Sequence, residues 1–340
     1  MKSILSALGH QTALLTFLGL FLTFAIFLGS DFTSLGNLSN VTRTLAITAP
    51  LVMGQAIVLI SGGIDISVGA TMAMAAALSI GLQHYGAVVS VGAAIAFGAL
   101  VGAANGLLVA KAKIVAFIAT VGTMSIVRGM MLVYTDEGSI SNTVPGFGFW
   151  GGGSVGPIPV PFILSVSLML VLWWLLRYFK IGREMYAVGG NKETAYLAGV
   201  AVERVQVTAF VWCGMLASVS GVLLASRLES ATPQIGVNLE LFSIAAAVIG
   251  GASILGGRGG AVGAFFGLAA LVILTNGMNL LGITTYYQLA TNAVLLIVVV
   301  VLDALRSNRA KRQSLRLSPR TVEDELTPKR EPGLGGPHPL

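Results

Sequence analysis

Charge is scarce in this 340-residue sequence: only 10% of its residues are Asp, Glu, Lys or Arg, against about 25% in ordinary soluble domains. A water-facing globule of that composition would expose far too much hydrocarbon. With 55% hydrophobic residues and a mean hydropathy of +0.86, the bilayer is the expected solvent. Cysteine is nearly absent too. The single Cys213 excludes an intrachain disulfide and a cysteine-built metal cluster, and within an apolar run it reads as a small packing residue. The three histidines, His10, His84 and His338, have no metal-ligand spacing, so neither a metal nor another cofactor is expected. No G-x-x-x-x-G-K-[ST] loop occurs, so if ATP is used another subunit hydrolyses it. The apolar runs hold no His–carboxylate pair, which argues against a membrane-embedded enzyme. They also lack the buried acids a proton-coupled carrier would want, apart from Asp65 at a turn.

What the sequence does have is long uncharged runs. A helix needs about 20 apolar residues to cross ~30 Å of hydrocarbon. Ile66 to Ala110 is free of Asp, Glu, Lys and Arg for 45 positions and Gly259 to Leu302 for 44. Each is long enough for two spans, with breaks at "LQHYG" (82–86) and "LLGITTYY" (280–287). Ten spans are predicted, at 12–29, 44–62, 66–82, 87–110, 114–135, 160–179, 205–226, 241–257, 261–281 and 286–304. An even number puts both termini on one side. Basic residues choose the side: Lys2, Lys111, Lys113, Arg177, Lys180, Arg183, Lys192, Arg204 and Arg258 fall on the face shared with the termini, while only Arg43 and Arg227 fall opposite. By the positive-inside rule both termini are cytoplasmic. The net charge of +6 is therefore a topology signal, and nucleic-acid binding is not indicated. The run Thr12 to Gly29 is longer than a signal-peptide core and lacks a clear small-x-small cleavage site, so it reads as the first span. A transmembrane domain over 1–305 is thus expected, followed by a polar, Pro-rich tail over 306–340 that lacks the apolar surface to fold alone.

Two of the spans carry glycine at every fourth position: Gly98, Gly102 and Gly106 in the fourth, and Gly259, Gly263 and Gly267 in the ninth. Such ladders give smooth faces for close helix packing in lipid. Being five spans apart they cross in opposite directions, as inverted five-helix repeats require, and such repeats put a solute path at their interface. Polar residues at span depth are the candidates for that path: Asp65, Asn105, Arg128, Asn276, Asn279 and Gln288. Arg128 lies about 21 Å from the cytoplasmic edge by helical rise, with snorkelling to the outer interface as its bland alternative. Asp65, between glycines in "SGGIDISVG" (61–69), is suited to cap the helix that follows. The amides suit a hydroxyl-rich solute, and interhelical hydrogen bonds would explain them equally well.

One hydrophilic island, "VGGNKETAYLAGVAVERVQ" (188–206), stands between the sixth and seventh spans on the cytoplasmic side. Gly189 and Gly190 permit a turn, Asn191 is a good N-cap, Glu193 falls in the first turn and Gly199 ends a helix of about seven residues. So short a helix needs a buttress. A partner's groove would meet Ala195, Tyr196, Leu197 and Ala198.

In order and spacing, "SGGIDISVG" (61–69), "VGGNKETAYLAGV" (188–200) and "IGGASILGGRGGAVGAFFGL" (249–268) resemble the permease subunits of bacterial monosaccharide importers of the ATP-binding-cassette type, with ribose permeases as the nearest likeness. "KAKIVAFIATVGTMSIVRGM" (111–130) and "NGMNLLGITTYYQ" (276–288) extend the similarity to about residues 35–304. The resemblance implies an inner-membrane protein of all-α fold that pairs with a second permease copy and forms one translocation path. It also implies two cytoplasmic ATP-binding subunits or one tandem ATPase, and a periplasmic sugar-binding protein; Arg227, Glu229, Asp136 and Glu137 are the outer charges available to pair with that protein. Gly190, Asn191, Lys192, Glu193, Ala195, Tyr196, Leu197 and Gly199 then belong to the helix that couples the permease to the ATPase. Related permeases for branched-chain amino acids or nucleosides stay open as alternatives.

Overall fold

Hydrocarbon offers no water to backbone N–H and C=O groups, so a spanning segment must pair them within itself. In the computed structural model, which describes residues 2–317, the apolar runs are accordingly helices. In chain order these are α1 (Lys2–Leu28), α2 (Ser30–Thr33), α3 (Leu35–Ile60), α4 (Val68–Gly81), α5 (Ala87–Ala110), α6 (Ala116–Thr135), α7 (Phe149–Gly152), α8 (Val160–Tyr178), α9 (Lys180–Gly190), α10 (Lys192–Leu197), α11 (Val202–Leu228), α12 (Leu239–Ile249), α13 (Ala261–Leu280) and α14 (Thr285–Leu317). Strand among the described residues is limited to two antiparallel pairs, Ile140–Ser141 with Ser230–Ala231 and Ser154–Val155 with Ile158–Pro159.

Among the described residues, seven helices are long and apolar enough to cross a membrane: α3, α5, α6, α8, α11, α13 and residues 285–305 of α14. The other three expected spans fall on shorter apolar helices, namely Thr12–Leu28 of α1, together with α4 and α12. The eighth span was expected to reach 257. Instead α12 stops at Ile249, where Gly250 is followed by Gly251 at positive φ. Of the described residues, those up to Val300 form one unit and those from Val301 another; α14 stays helical through 317, so residues 306–317 of the expected unstructured tail are helical and 318–340 lie outside the described residues.

The core is built around α3, in which every residue from Leu45 to Ile60 is buried. Pro50 interrupts that helix from within. Its ring displaces the carbonyl four residues back and it has no N–H to give. Neighbouring helices supply partners at the break: Ser165 Oγ of α8 donates to the Ala46 carbonyl that Pro50 leaves unpaired, and the adjacent Leu51 N–H donates to Ser220 Oγ of α11 at 2.9 Å.

The first glycine ladder faces α11. A methyl group on Gly98 would lie 2.8 Å from the Gly214 carbonyl carbon, one on Gly102 2.7 Å from that of Phe210, and one on Gly106 2.7 Å from Val207 Cα. On the second ladder, Gly263 and Gly267 pack on α12 against Gly250 and Ala246, while Gly259 precedes the helix and sits against Ala252. The two ladders therefore meet partners that are not equivalent under a five-helix repeat. Close packing accounts for them.

Candidate functional site

The charge-rich face of the bundle, called inner here after its lysines and arginines, carries the hydrophilic island. Its first part does not turn at Gly189 and Gly190, as the sequence suggested, but continues as α9 to Gly190. Gly189 is needed for contact: a side chain there would run into the Ile60 carbonyl and lie 2.6 Å from the Gly257 nitrogen. Tyr186 pins the same region, its hydroxyl donating to the Gly259 carbonyl at 2.9 Å, and burial pushes its pKa up to about 12. Next comes α10. Asn191 Oδ1 accepts from the Thr194 N–H at 2.9 Å, Glu193 lies in the first turn, and Gly199 at φ +79° closes the helix. The Gly199 N–H reaches the Tyr196 carbonyl and the Val200 N–H the Ala195 carbonyl, the paired bonds of a Schellman end.

Of the apolar residues expected to meet a partner, Tyr196 and Leu197 are 71% and 79% exposed, whereas Ala195 is only 4% exposed and belongs to the chain's own core. Ala195 is thus the buttress and not a contact. Beside α10 opens a cleft of about 970 Å³ lined by Ile64, Lys113, Phe117, Lys192, Glu203 and Gln206 among others. Lys113 and Glu203 pair across it at 3.3 Å. Lys192 has its pKa lowered, first by burial and then by the charge on Lys113.

Two spans are interrupted. Before α4 the chain runs through residues 61–67 without regular helix, and before α12 it does so again through 232–238. Asp65 in the first stretch is 1% exposed, and its Oδ1 accepts from both the N–H and Oγ of Ser67, at 2.8 and 2.7 Å. The N-cap position of α4 is Ser67 itself, so Asp65 shapes the turn one step ahead of the cap. Asn105 of α5 reaches in, its Nδ2 donating to Ser67 Oγ at 2.9 Å and lying 3.4 Å from Asp65 Oδ1. Asn105 Oδ1 and the Nε2 atoms of Gln55 and Gln206 are buried and without a hydrogen-bond partner. Asp65 and Asn105, the first two path candidates, therefore form one enclosed polar cluster.

Arg128 neither snorkels nor stands alone. Its Nη1 donates to the carbonyls of Pro233 and Ile235, both at 2.8 Å, so it supplies the donors that the second interruption lacks. The second interruption touches the first turn of α4: a side chain on Gly69 would collide with the Gly236 carbonyl and lie 2.7 Å from Glu240 Oε2. Glu240, in the first turn of α12, corrects the expectation that Asp65 is the only acid at span depth. It was missed because a charge was taken to bound the span.

The remaining candidates are not gathered with these. Asn276 and Asn37 exchange amide hydrogen bonds at 2.8 and 3.0 Å, tying α13 to α3. Gln288 Nε2 donates to Asn279 Oδ1 at 2.6 Å and to the Ile283 carbonyl at 2.8 Å, closing the turn between α13 and α14. On the opposite, outer face Arg227 is engaged by Asn40 and Thr44 of α3, so less of it is free for a partner than the sequence suggested. No cluster of His, Cys, Asp and Glu able to hold a metal occurs among the described residues.

A largely helical bundle with interrupted spans meeting at depth and a capped helix standing proud of one face is the architecture of a multi-pass membrane protein. Residues 37–300 match the family described as "Branched-chain amino acid transport system / permease component", and the chain belongs to that family of importer permeases. It is 40% identical over 297 residues to the ribose import permease protein RbsC of Bacillus subtilis (strain 168), covering 86% of this chain and 92% of that one. It is 36% identical to the D-allose transport system permease protein AlsC of Escherichia coli (strain K12), covering 81% and 86%. With the xylose/arabinose import permease protein XylH of Sulfolobus acidocaldarius it shares 35% identity over 86% and 83%. No solved structure matches the chain.

Proposed function

We propose that this chain is the translocating subunit of an ATP-binding-cassette importer that takes a ribose-like monosaccharide from a periplasmic binding protein and passes it to the cytoplasm. It acts as one of two permease copies. Two cytoplasmic ATP-binding subunits, or one tandem ATPase, supply the energy by docking on α10. The observation that carries this reading is α10 itself: a helix of six residues, capped at both ends and buttressed by Ala195, that holds Tyr196 and Leu197 out into solvent. Exposed aromatic and aliphatic side chains on a fixed helix are anchors for a protein groove. The sugar is supported by the relatives, whose names specify ribose, allose, and xylose or arabinose. The family's own description favours a second reading, branched-chain amino acids, and the resemblance of the motifs leaves nucleosides as a third.

One experiment separates them. The complex is copurified with its soluble partner, and the partner's melting temperature is measured with ribose, xylose, allose, leucine and a nucleoside. A shift with an aldose alone is the expected result, and a shift with leucine or the nucleoside alone overturns the sugar assignment. Docking is tested by Leu197→Asp with Tyr196→Asp. The double variant should insert normally while ATP hydrolysis loses its stimulation by the loaded binding protein, and full stimulation would remove α10 from the coupling role.

A further inference from the structure

The second interruption lies deep in the membrane, and its depth can be counted. α4 ends at Gly81, packed against the Tyr134 ring near the outer end of α6. From Gly81 back to Gly69 is about 18 Å of helix at 1.5 Å per residue, so Gly69 sits at or beyond the middle of a ~30 Å hydrocarbon layer. Gly236 touches Gly69 and shares its depth. Onward from there α12 descends to the inner face in 11 residues.

Around Gly236 the chain is irregular, and much of it is uncovered. Gln234, Val237 and Asn238 are exposed, and Asn238 takes a left-handed conformation with φ +66°. Glu240 is half-buried, and its carboxylate makes no hydrogen bond or ion pair among the described residues. Arg128 gives two bonds to this stretch through one nitrogen and is itself only half-buried. Irregular backbone bearing polar side chains cannot face lipid at that depth; it is tolerated where protein covers it or where it lines a water-filled cavity. Two exposed amides, and a half-buried carboxylate that feels the charge of the Arg128 guanidinium without bonding to it, are hydrogen-bonding chemistry, and an apolar helix face would not pair with them.

We propose that Gln234, Asn238 and Glu240, held in place by Arg128, line the aqueous path at mid-bilayer depth and hydrogen-bond the hydroxyls of the passing solute. The carboxylate accepts, the amides both donate and accept, and none of these groups demands a charge on the ligand. This assignment rests on the monosaccharide reading for its ligand but not for the existence of the path.

The test uses the full chain in its assembled complex in liposomes. Cys213, the sole native cysteine, is fully buried and can stay. Gln234→Cys and Asn238→Cys are each exposed to a charged, membrane-impermeant thiol reagent. Labelling of both, slowed by solute-loaded binding protein, is the expected result. Labelling only after detergent extraction means lipid covers the surface, and no labelling in either medium means protein covers it; either overturns the proposal. Glu240→Gln then tests the contact, with transport expected to fall about tenfold at undiminished complex recovery, the worth of one hydrogen bond to a charged group. Wild-type transport by that variant overturns the solute contact. Labelling as expected in a complex that transports leucine and no sugar would instead overturn the monosaccharide reading and leave the path intact.

Discussion

Gly214 of α11 offers the sharpest quantitative test of how this bundle is held together. Its α-carbon faces the first glycine ladder, and a methyl group there would run into the Gly98 carbonyl, 2.9 Å from the carbonyl carbon and 3.2 Å from the Gly102 nitrogen. All the obstructing atoms are backbone, so no side-chain rotation relieves the overlap. α5 and α11 must separate or shift. Overpacking of this kind costs about 1–3 kcal/mol per added methyl. Separation would also loosen every contact along the ladder, because helix packing in lipid depends on close approach.

Cys213 provides the assay, since it is adjacent in sequence and 0% exposed. A fluorogenic maleimide will report the temperature at which this lone thiol becomes reachable in the detergent-solubilised complex. Gly214→Ala should lower that temperature by several degrees, taking about 2–4 °C per kcal/mol as for soluble domains of moderate size. Gly92→Ala on α5, where a methyl group meets nothing within 4 Å, is the matched control and should leave it unchanged. Equal transitions in the two variants would refute close backbone approach as the organising contact.

Two further outcomes follow from the same bonding arguments. Ser165→Ala strips the donor from the Ala46 carbonyl that Pro50 releases, and leaving that buried acceptor unpaired should destabilise the bundle by about 1–3 kcal/mol in the same thiol assay, whereas Pro50→Ala in the Ser165→Ala background should restore most of the loss. Arg128→Met removes both donors to the second interruption and should lower transport by more than it lowers the amount of assembled complex, with Arg128→Lys recovering part of the difference; loss only in proportion to recovered protein would make Arg128 purely structural.

What could be read from the sequence was what local chemistry dictates. Long uncharged runs gave the helices, and the cap of α10 at Asn191 and its closure at Gly199 were visible because donor and acceptor lie within a few residues. Contacts between distant segments were not visible. Asn276 looked like a path residue because nothing in the order of residues reveals that Asn37, 239 positions away, would saturate it. Gly69 and Gly236 belong to no repeating pattern, yet they mark where the interrupted spans meet. Charge misled at Glu240, which was taken to lie outside the membrane and instead stands in the first turn of α12, where Ser243 to Val248 are buried. Where a charged residue falls relative to a buried helix face is a partition that only tertiary packing decides.

The last prediction concerns how firmly α10 is held. A helix of six residues is unstable by itself. Apart from Ala195 it buries no side chain, so its order depends on its two ends. Asn191→Ala deletes the acceptor for the Thr194 N–H, which costs about 1 kcal/mol. Gly199→Ala forces a β-carbon onto a residue at φ +79°, for roughly 1 kcal/mol more. The ends lie far enough apart to add, so the double variant should favour local opening by about 2 kcal/mol, or around thirtyfold. Global stability should hardly move, because the core of α3 and α11 is untouched. Hydrogen exchange therefore distinguishes this from general damage: amides of 194–200 should exchange around thirtyfold faster while those of α11 keep their protection. If α10 transmits the nucleotide cycle, stimulated ATP hydrolysis should fall with the fraction of ordered helix. Unchanged exchange at 194–200 would show that the caps do not hold α10, and that its order comes from packing on α9 and α11 instead.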